Sequence, residues 1–179
     1  MTVIKTIEAE DVTQAAIAPF GRALMFHDAA PTSHGAWWNC WEGTAELSQG
    51  RQWVGFVRTQ CGICEISEME REPGTEIIIP VEGEITQVVA LGTTGEDGVE
   101  RPDALTARAF VLKPGTALVM APGVWHAAAF GSTSDASYFY IAERRRAEDS
   151  EGRGGWVALT EKLEVKFRLD RRSKAQAGR

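Results

Sequence analysis

A chain of 179 residues, 44% hydrophobic and 25% charged, can bury one substantial core and is too apolar to stay unfolded. Its net charge of −6 and pI near 5.2 argue against nucleic-acid or anionic-membrane partners, which select basic surfaces. No apolar run reaches the roughly 18 to 20 residues that span a bilayer, and the opening MTVIKTIEAEDV lacks a signal-peptide pattern. One cytoplasmic domain over residues 1–179 is therefore expected, with a basic tail from about residue 170.

In chain order, Asp11-Val-Thr-Gln14 reads as a capping box opening a short helix through Ala15, Ala16 and Ile17, which Pro19 and Gly21 should end. Apolar or alternating runs then predict strands at 22–26, 53–58, 63–69, 76–80, 85–91, 107–112, 116–120, 124–130, 138–142 and 163–167. So many short strands with one helix predict an all-β antiparallel barrel or sandwich. Val81-Glu-Gly-Glu84 separates two apolar runs, so Gly83 should take the positive φ of a hairpin turn. The segment from Gly92 to Pro102 reads as a polar surface loop, as does the charged stretch from Glu143 to Gly155. His34 to Trp41, HGAWWNCW, holds three of the six tryptophans, as a core or dimer plug or as the aromatic wall of a ligand site. Three cysteines are too few for a disulfide framework; Cys61-Gly-Ile-Cys64 reads as ordinary thiols before a redox pair or half a zinc site.

The chemistry gathers in two motifs. Glu70 and Glu72 are two apart, Glu76 follows four later, and a turn glycine, Gly83, stands seven beyond; this is the ligand spacing of the cupin barrel with glutamates where histidines usually stand. The second motif begins at Gly115 and ends Pro122-Gly123-Val-Trp-His126. Strand alternation puts Glu70 and Glu72 on one face, so Glu70, Glu72, Glu76 and His126 are expected to converge in one cavity. Carboxylates so gathered need a metal or an arginine to stay ionised. An oxygen-rich set with one nitrogen suits Mn, Fe or Ni better than structural zinc.

Several short segments resemble ureidoglycolate lyases, in order along most of the chain. Ile17-Ala-Pro-Phe-Gly21 resembles their A-P-F-G, Arg58-Thr-Gln60 their R-A-Q, and Met69-Glu-Arg-Glu-Pro73 their L-E-R-H-P. Ile79-Pro80, Val88-Val89-Ala90, Arg108-Ala-Phe110, Val124-Trp-His126 and Glu143-Arg144 continue the series. The resemblance implies a homodimeric cupin-type barrel with a short N-terminal helix, splitting ureidoglycolate into glyoxylate and urea in purine metabolism. It implies His126 and Glu72 as the acid and base, and Arg58, Arg108 and Arg144 as carboxylate-binding groups. The chain departs from the family at Glu72, Ala121 and Ala127, each standing where the family has histidine. The expectation is a lyase of small 2-hydroxy or 2-oxo acids. The alternatives are a non-catalytic small-acid-binding cupin and a metal-dependent isomerase or dioxygenase using Glu70, Glu72, Glu76 and His126.

Overall fold

The computed structural model describes residues 4–26, 29–47, 49–63, 65–143 and 155–167. It opens with β1 (Ile4–Asp11), α1 (Gln14–Ile17), β2 (Gly21–Met25), β3 (Ser33–His34), β4 (Asn39–Cys40) and β5 (Gln52–Thr59). The middle of the chain supplies β6 (Glu65–Arg71), β7 (Glu76–Glu82), β8 (Ile85–Ala90), β9 (Gly92–Thr94) and β10 (Glu100–Pro102). There follow β11 (Arg108–Leu112), β12 (Thr116–Met120), β13 (Trp125–His126), β14 (Phe130–Gly131), β15 (Ala136–Glu143) and β16 (Val157–Phe167). The fold is the all-β, cupin-type barrel with one short helix that the sequence predicts.

The larger sheet runs β11-β1-β16-β6-β13-β8-β14, and β11 pairs with β8 as well, so six of its strands close on themselves. The smaller sheet runs β2-β12-β7-β15-β5. Alternation of side chains along the strands splits the apolar residues into distinct cores. Ile7, Ala109, Trp125, Ala127 and Leu163 belong to a cluster within the closed sheet. Val89, Phe110, Leu118, Met120 and Tyr138 belong to a second cluster that joins the two sheets. That inter-sheet layer is where the polar residues described below are found.

Several expectations need correction. Asp11 does not cap the helix: it stays in β1, paired with Val111, and the N-cap is Thr13, whose side chain accepts the Ala16 amide. β1 carries a weak apolar signal because only Ile7 and Ala9 of its eight residues are buried and charged residues fill most of the rest; it also pairs parallel with both neighbours in an otherwise antiparallel barrel. The supposed loop from Gly92 to Pro102 is a small hairpin, β9 with β10, its turn held by Arg101 on the Asp97 carboxylate. Gly83 does take a positive φ, 72°. The run at 124–130 is broken into β13 and β14, because residues 127–129 oppose only residues 87–88 of β8, a bulge. His34 and Trp41 bracket the β3–β4 hairpin, where Trp37 is 88% exposed and Trp38 42%, so neither is core of this chain. Cys61 is exposed, while Cys64, the stretch 144–154 and the basic tail lie outside the described residues.

Phe110 is fully buried between the sheets, its ring 6.1 Å from Phe20 in an edge-to-face arrangement. Phe110→Ala should cost about 3–5 kcal/mol of stability in urea denaturation, and a loss near zero would show that this layer is not a packed core.

Candidate functional site

Three strands bring the chemistry together. On β13, His126 lies directly opposite Val89 of β8 and Glu70 of β6, so all three side chains share one face of the larger sheet. On β7 in the smaller sheet, Glu76 is opposite Met120, a member of the inter-sheet core. The two sheets therefore present Glu70 and His126 from one side and Glu76 from the other. The turn before β13 makes this possible: Gly123 has φ 77°, and its amide donates to the Glu72 carbonyl at 2.9 Å, bringing His126 beside β6.

Glu76 and His126 meet across the sheets. Nε2 of the imidazole is 3.0 Å from Oε2 of the carboxylate, with both side chains buried. Nδ1 lies 3.1 Å from the Val124 carbonyl, to which it donates when protonated. Glu76 Oε2 makes no directed hydrogen bond besides this approach, so the imidazolium is its compensation for burial. Burial is the largest single influence on His126 and alone pushes its pKa down. The Glu76 contact, the Glu76 and Glu70 charges and the Val124 carbonyl together outweigh it and leave the pKa raised.

The chain's only two tyrosines, Tyr138 and Tyr140, are two apart on β15 and face this layer. Burial, opposed by the Ala129 amide and reinforced by the charges of Glu76, Tyr140 and Glu70, pushes the Tyr138 hydroxyl up to about 12. It is a neutral donor across the working pH range. Tyr140 crosses Gly55, its partner on β5, where a Cβ would lie 2.0 Å from the ring. Sequence reasoning missed both tyrosines. Their period-2 spacing in Tyr138-Phe-Tyr140 was the available signal, but nothing local told which face was inward.

The remaining expected residues are more scattered. Glu72 lies one residue past the end of β6, half-buried, and its backbone carbonyl supports the Gly123 turn; the carboxylate paired with His126 is that of Glu76. Arg58 does not join the site: Val57 points toward the core, so Arg58 faces outward beside Glu82 and Asp135. Arg108 occupies the same cross-strand row as Val89 and His126, but its guanidinium is clamped on Glu10 and on the Ala16 carbonyl. Arg144 lies outside the described residues. A cavity of about 500 Å³ is lined by Arg22, Glu46, Ala121, Thr75 and Met120, the last two being the chain neighbour and strand partner of Glu76.

The four-residue metal set does not form. Among the described residues no three His, Cys, Asp or Glu side chains are grouped as metal ligands, and both nitrogens of His126 already face protein oxygens. The departures at the family's histidine positions also separate by place. Ala127 is buried in the core within the closed sheet, on the opposite face from His126, so an imidazole there would not enter this layer. Ala121 lines the cavity that also takes in Arg22 and Thr75.

The family model for ureidoglycolate lyase matches residues 4–160. The chain belongs to the ureidoglycolate lyase family. No curated protein matches it. Among solved structures it is similar to RmlC from Streptococcus suis in complex with dTDP-D-xylose, at 15% identity over 55% of this chain and 46% of that one, TM-score 0.38. It is also similar to a dTDP sugar isomerase from Desulfovibrio desulfuricans G20, at 16% identity over 66% of this chain and 69% of that one, TM-score 0.40. A third is dTDP-6-deoxy-D-glucose-3,5-epimerase RmlC from Legionella pneumophila Philadelphia 1, at 14% identity over 65% of this chain and 55% of that one, TM-score 0.39. The chain thus spans under half the length of the first of these, and likenesses at such TM-scores have no bearing on its chemistry. No described helix is long and apolar enough to cross a membrane.

A raised His126 pKa has a definite consequence for stability. The imidazolium's contribution is fully present below its unfolded value near 6.5 and is lost as pH rises through the raised folded value. Urea denaturation from about pH 6 to about pH 9 should show wild type losing stability more steeply than Glu76→Gln, whose imidazole no longer faces a carboxylate. Equal slopes would contradict the pairing.

Proposed function

We propose that this family member is a lyase acting on a small 2-hydroxy or 2-oxo acid, with ureidoglycolate as the type substrate. The observation that carries the reading is the buried His126–Glu76 pair, an imidazole and a carboxyl group held 3.0 Å apart between the sheets. The family reaction is a retro-addition. A base takes the proton of the carbinol hydroxyl, the C–N bond breaks as the aldehyde forms, and the leaving nitrogen is protonated. In this chain the protonated imidazole of His126 is the acid, and Glu76, with Glu70 beside it, is the base. The neutral Tyr138 hydroxyl stabilises oxygen as it gains charge.

The substrate's own carboxylate needs a cation, since Glu70 and Glu76 repel it. Arg108 stands on the right face for that role, in the row of Val89 and His126, whereas Arg22 lies in the row of Val119 and Ile77, on the face of the smaller sheet opposite Glu76. A histidine-rich family site reduced here to one imidazole supports weak or absent turnover of ureidoglycolate itself, with a related small acid as the preferred substrate.

Urea and glyoxylate release, run beside a screen of other hydroxy and oxo acids, tests this reading. His126→Ala should lower turnover of the best substrate by about 10² to 10⁴, and Glu76→Gln by a similar factor. His126→Ala should also lose roughly 3–5 kcal/mol of stability, because it leaves Glu76 buried without its counter-charge. Rates are therefore compared at a temperature where circular dichroism shows both variants folded. Undiminished turnover by folded His126→Ala would remove it from the mechanism, and rapid wild-type turnover of ureidoglycolate would restore the family substrate.

We also propose that the chain acts as a homodimer. The exposed Trp37 and Trp38, and the outward Val54, Phe56 and Phe139 of β5 and β15, are apolar groups that a second copy of the chain would cover. Light scattering should give twice the chain mass of 19.5 kDa, and a monomer at micromolar concentration would contradict it.

A further inference from the structure

Gln87 is a polar residue fully buried on the inward face of β8. It stands opposite Phe110 of the inter-sheet core and two residues before Val89, the strand partner of His126. Its amide can face only one way. Nε2 donates to the Ala127 carbonyl at 2.6 Å and to the Val88 carbonyl at 3.2 Å, where an oxygen would meet two acceptors. Oε1 is therefore the end that projects, and among the described residues it is buried without a hydrogen-bond partner. Buried amide oxygens rarely stay unpaired, so an orphan acceptor beside a chemical site calls for a donor. Trp125 Nε1, a buried donor without a partner among the described residues, cannot supply one, because it belongs to the core on the opposite face of the sheet. Across the same layer Glu76 Oε2 is a second buried acceptor with no directed hydrogen bond.

We infer that Gln87 is a specificity residue of this site, its Oε1 accepting a hydrogen bond from an N–H of the bound ligand. This rests on the reading of the inter-sheet layer as the ligand site. An acceptor pair flanking an imidazolium suits a ureido or amide group, which offers N–H donors on one edge and a carbonyl for the cation on the other. A ligand with carbon in place of nitrogen leaves Oε1 unpaired, and discrimination follows from that unpaired acceptor.

Two isosteric probes separate the possibilities. N-carbamoylglycine carries the ureido group; 4-oxopentanoate has the same length, carbonyl position and carboxylate, with CH₃ and CH₂ where the first has NH₂ and NH. Calorimetric titration of wild type should favour the ureido probe by about 10- to 100-fold. In Gln87→Met that preference should collapse through weaker binding of N-carbamoylglycine alone, with 4-oxopentanoate unaffected. A purely structural role, bracing the Ala127 carbonyl at the bulge, would weaken both probes in parallel and overturn the inference; so would a preference that survives the substitution. Should Gln87→Met fail to fold, Gln87→Asn, too short to hold Ala127 and meet the ligand together, should show the same selective loss. Folded Glu76→Gln and His126→Ala serve as site controls. If neither changes the affinity of either probe, or wild type binds neither probe, the reading of the site itself falls; if they do and Gln87→Met does not, only the role of Gln87 falls.

Discussion

One buried contact organises this protein: the approach of Glu76 Oε2 to His126 Nε2, 3.0 Å across the space between two sheets. Each group is costly to bury alone, and each makes the other tolerable. The contact fixes how the sheets face one another, because a one-residue slip of β7 or β13 would turn its group to the wrong face and leave the other uncompensated. Local details serve it. The Gly123 turn delivers β13 to the edge of β6, the bulge at residues 127–129 releases the strand immediately after His126, and Glu70 adds a second negative charge directly opposite. Net stability from such a pair is small; what it provides is a unique arrangement and an imidazole whose pKa the neighbouring carboxylates raise.

Seen from that contact, the departures from the family's histidine pattern are unequal. Ala127 belongs to the packing of the closed sheet, where an alanine preserves a dry core against Trp125 and Leu163. Ala121 lines a cavity with Arg22 and Val119, and Glu72 lies just past the end of β6, so neither position stands in the His126–Glu76 contact. The surviving chemistry is compact: an imidazolium, one paired and one neighbouring carboxylate, and a phenol kept neutral by burial. Such a set can move protons without a second histidine.

Much of the fold was legible from local patterns. The runs leading to β7, β8 and β12 read directly because apolar and β-branched residues fill them, and the motif ending Pro122-Gly123-Val-Trp-His126 singled out His126. What was hidden depended on partners distant in sequence. β1 buries two small or apolar residues against strands a hundred or more positions away, so its own composition is mute. Asp11 looked like a helix cap until the pairing with Val111 held it extended. At the site, His126 and the glutamates were visible by type and spacing, but which glutamate would meet the imidazole was decided by the packing of one sheet on another. Glu72 and Glu76 are equivalent in sequence terms, and only the second is carried by the opposite sheet. Arginines misled for a related reason: alternation says that Val57 and Arg58 face opposite ways, without saying which is inward. Gln87 and the two tyrosines passed unnoticed because polar residues in strands are ordinary until they prove to be buried.

The central claim is that His126 is held as an imidazolium by Glu76, and the most direct measurement is the NMR titration of its ring. With only three histidines in the chain, its signals can be assigned by substitution. The account predicts a His126 pKa above the ordinary value of 6.5 in wild type, falling when Glu76 is replaced by glutamine. A wild-type His126 that titrates at or below the ordinary value, or one that ignores the loss of Glu76, would contradict it.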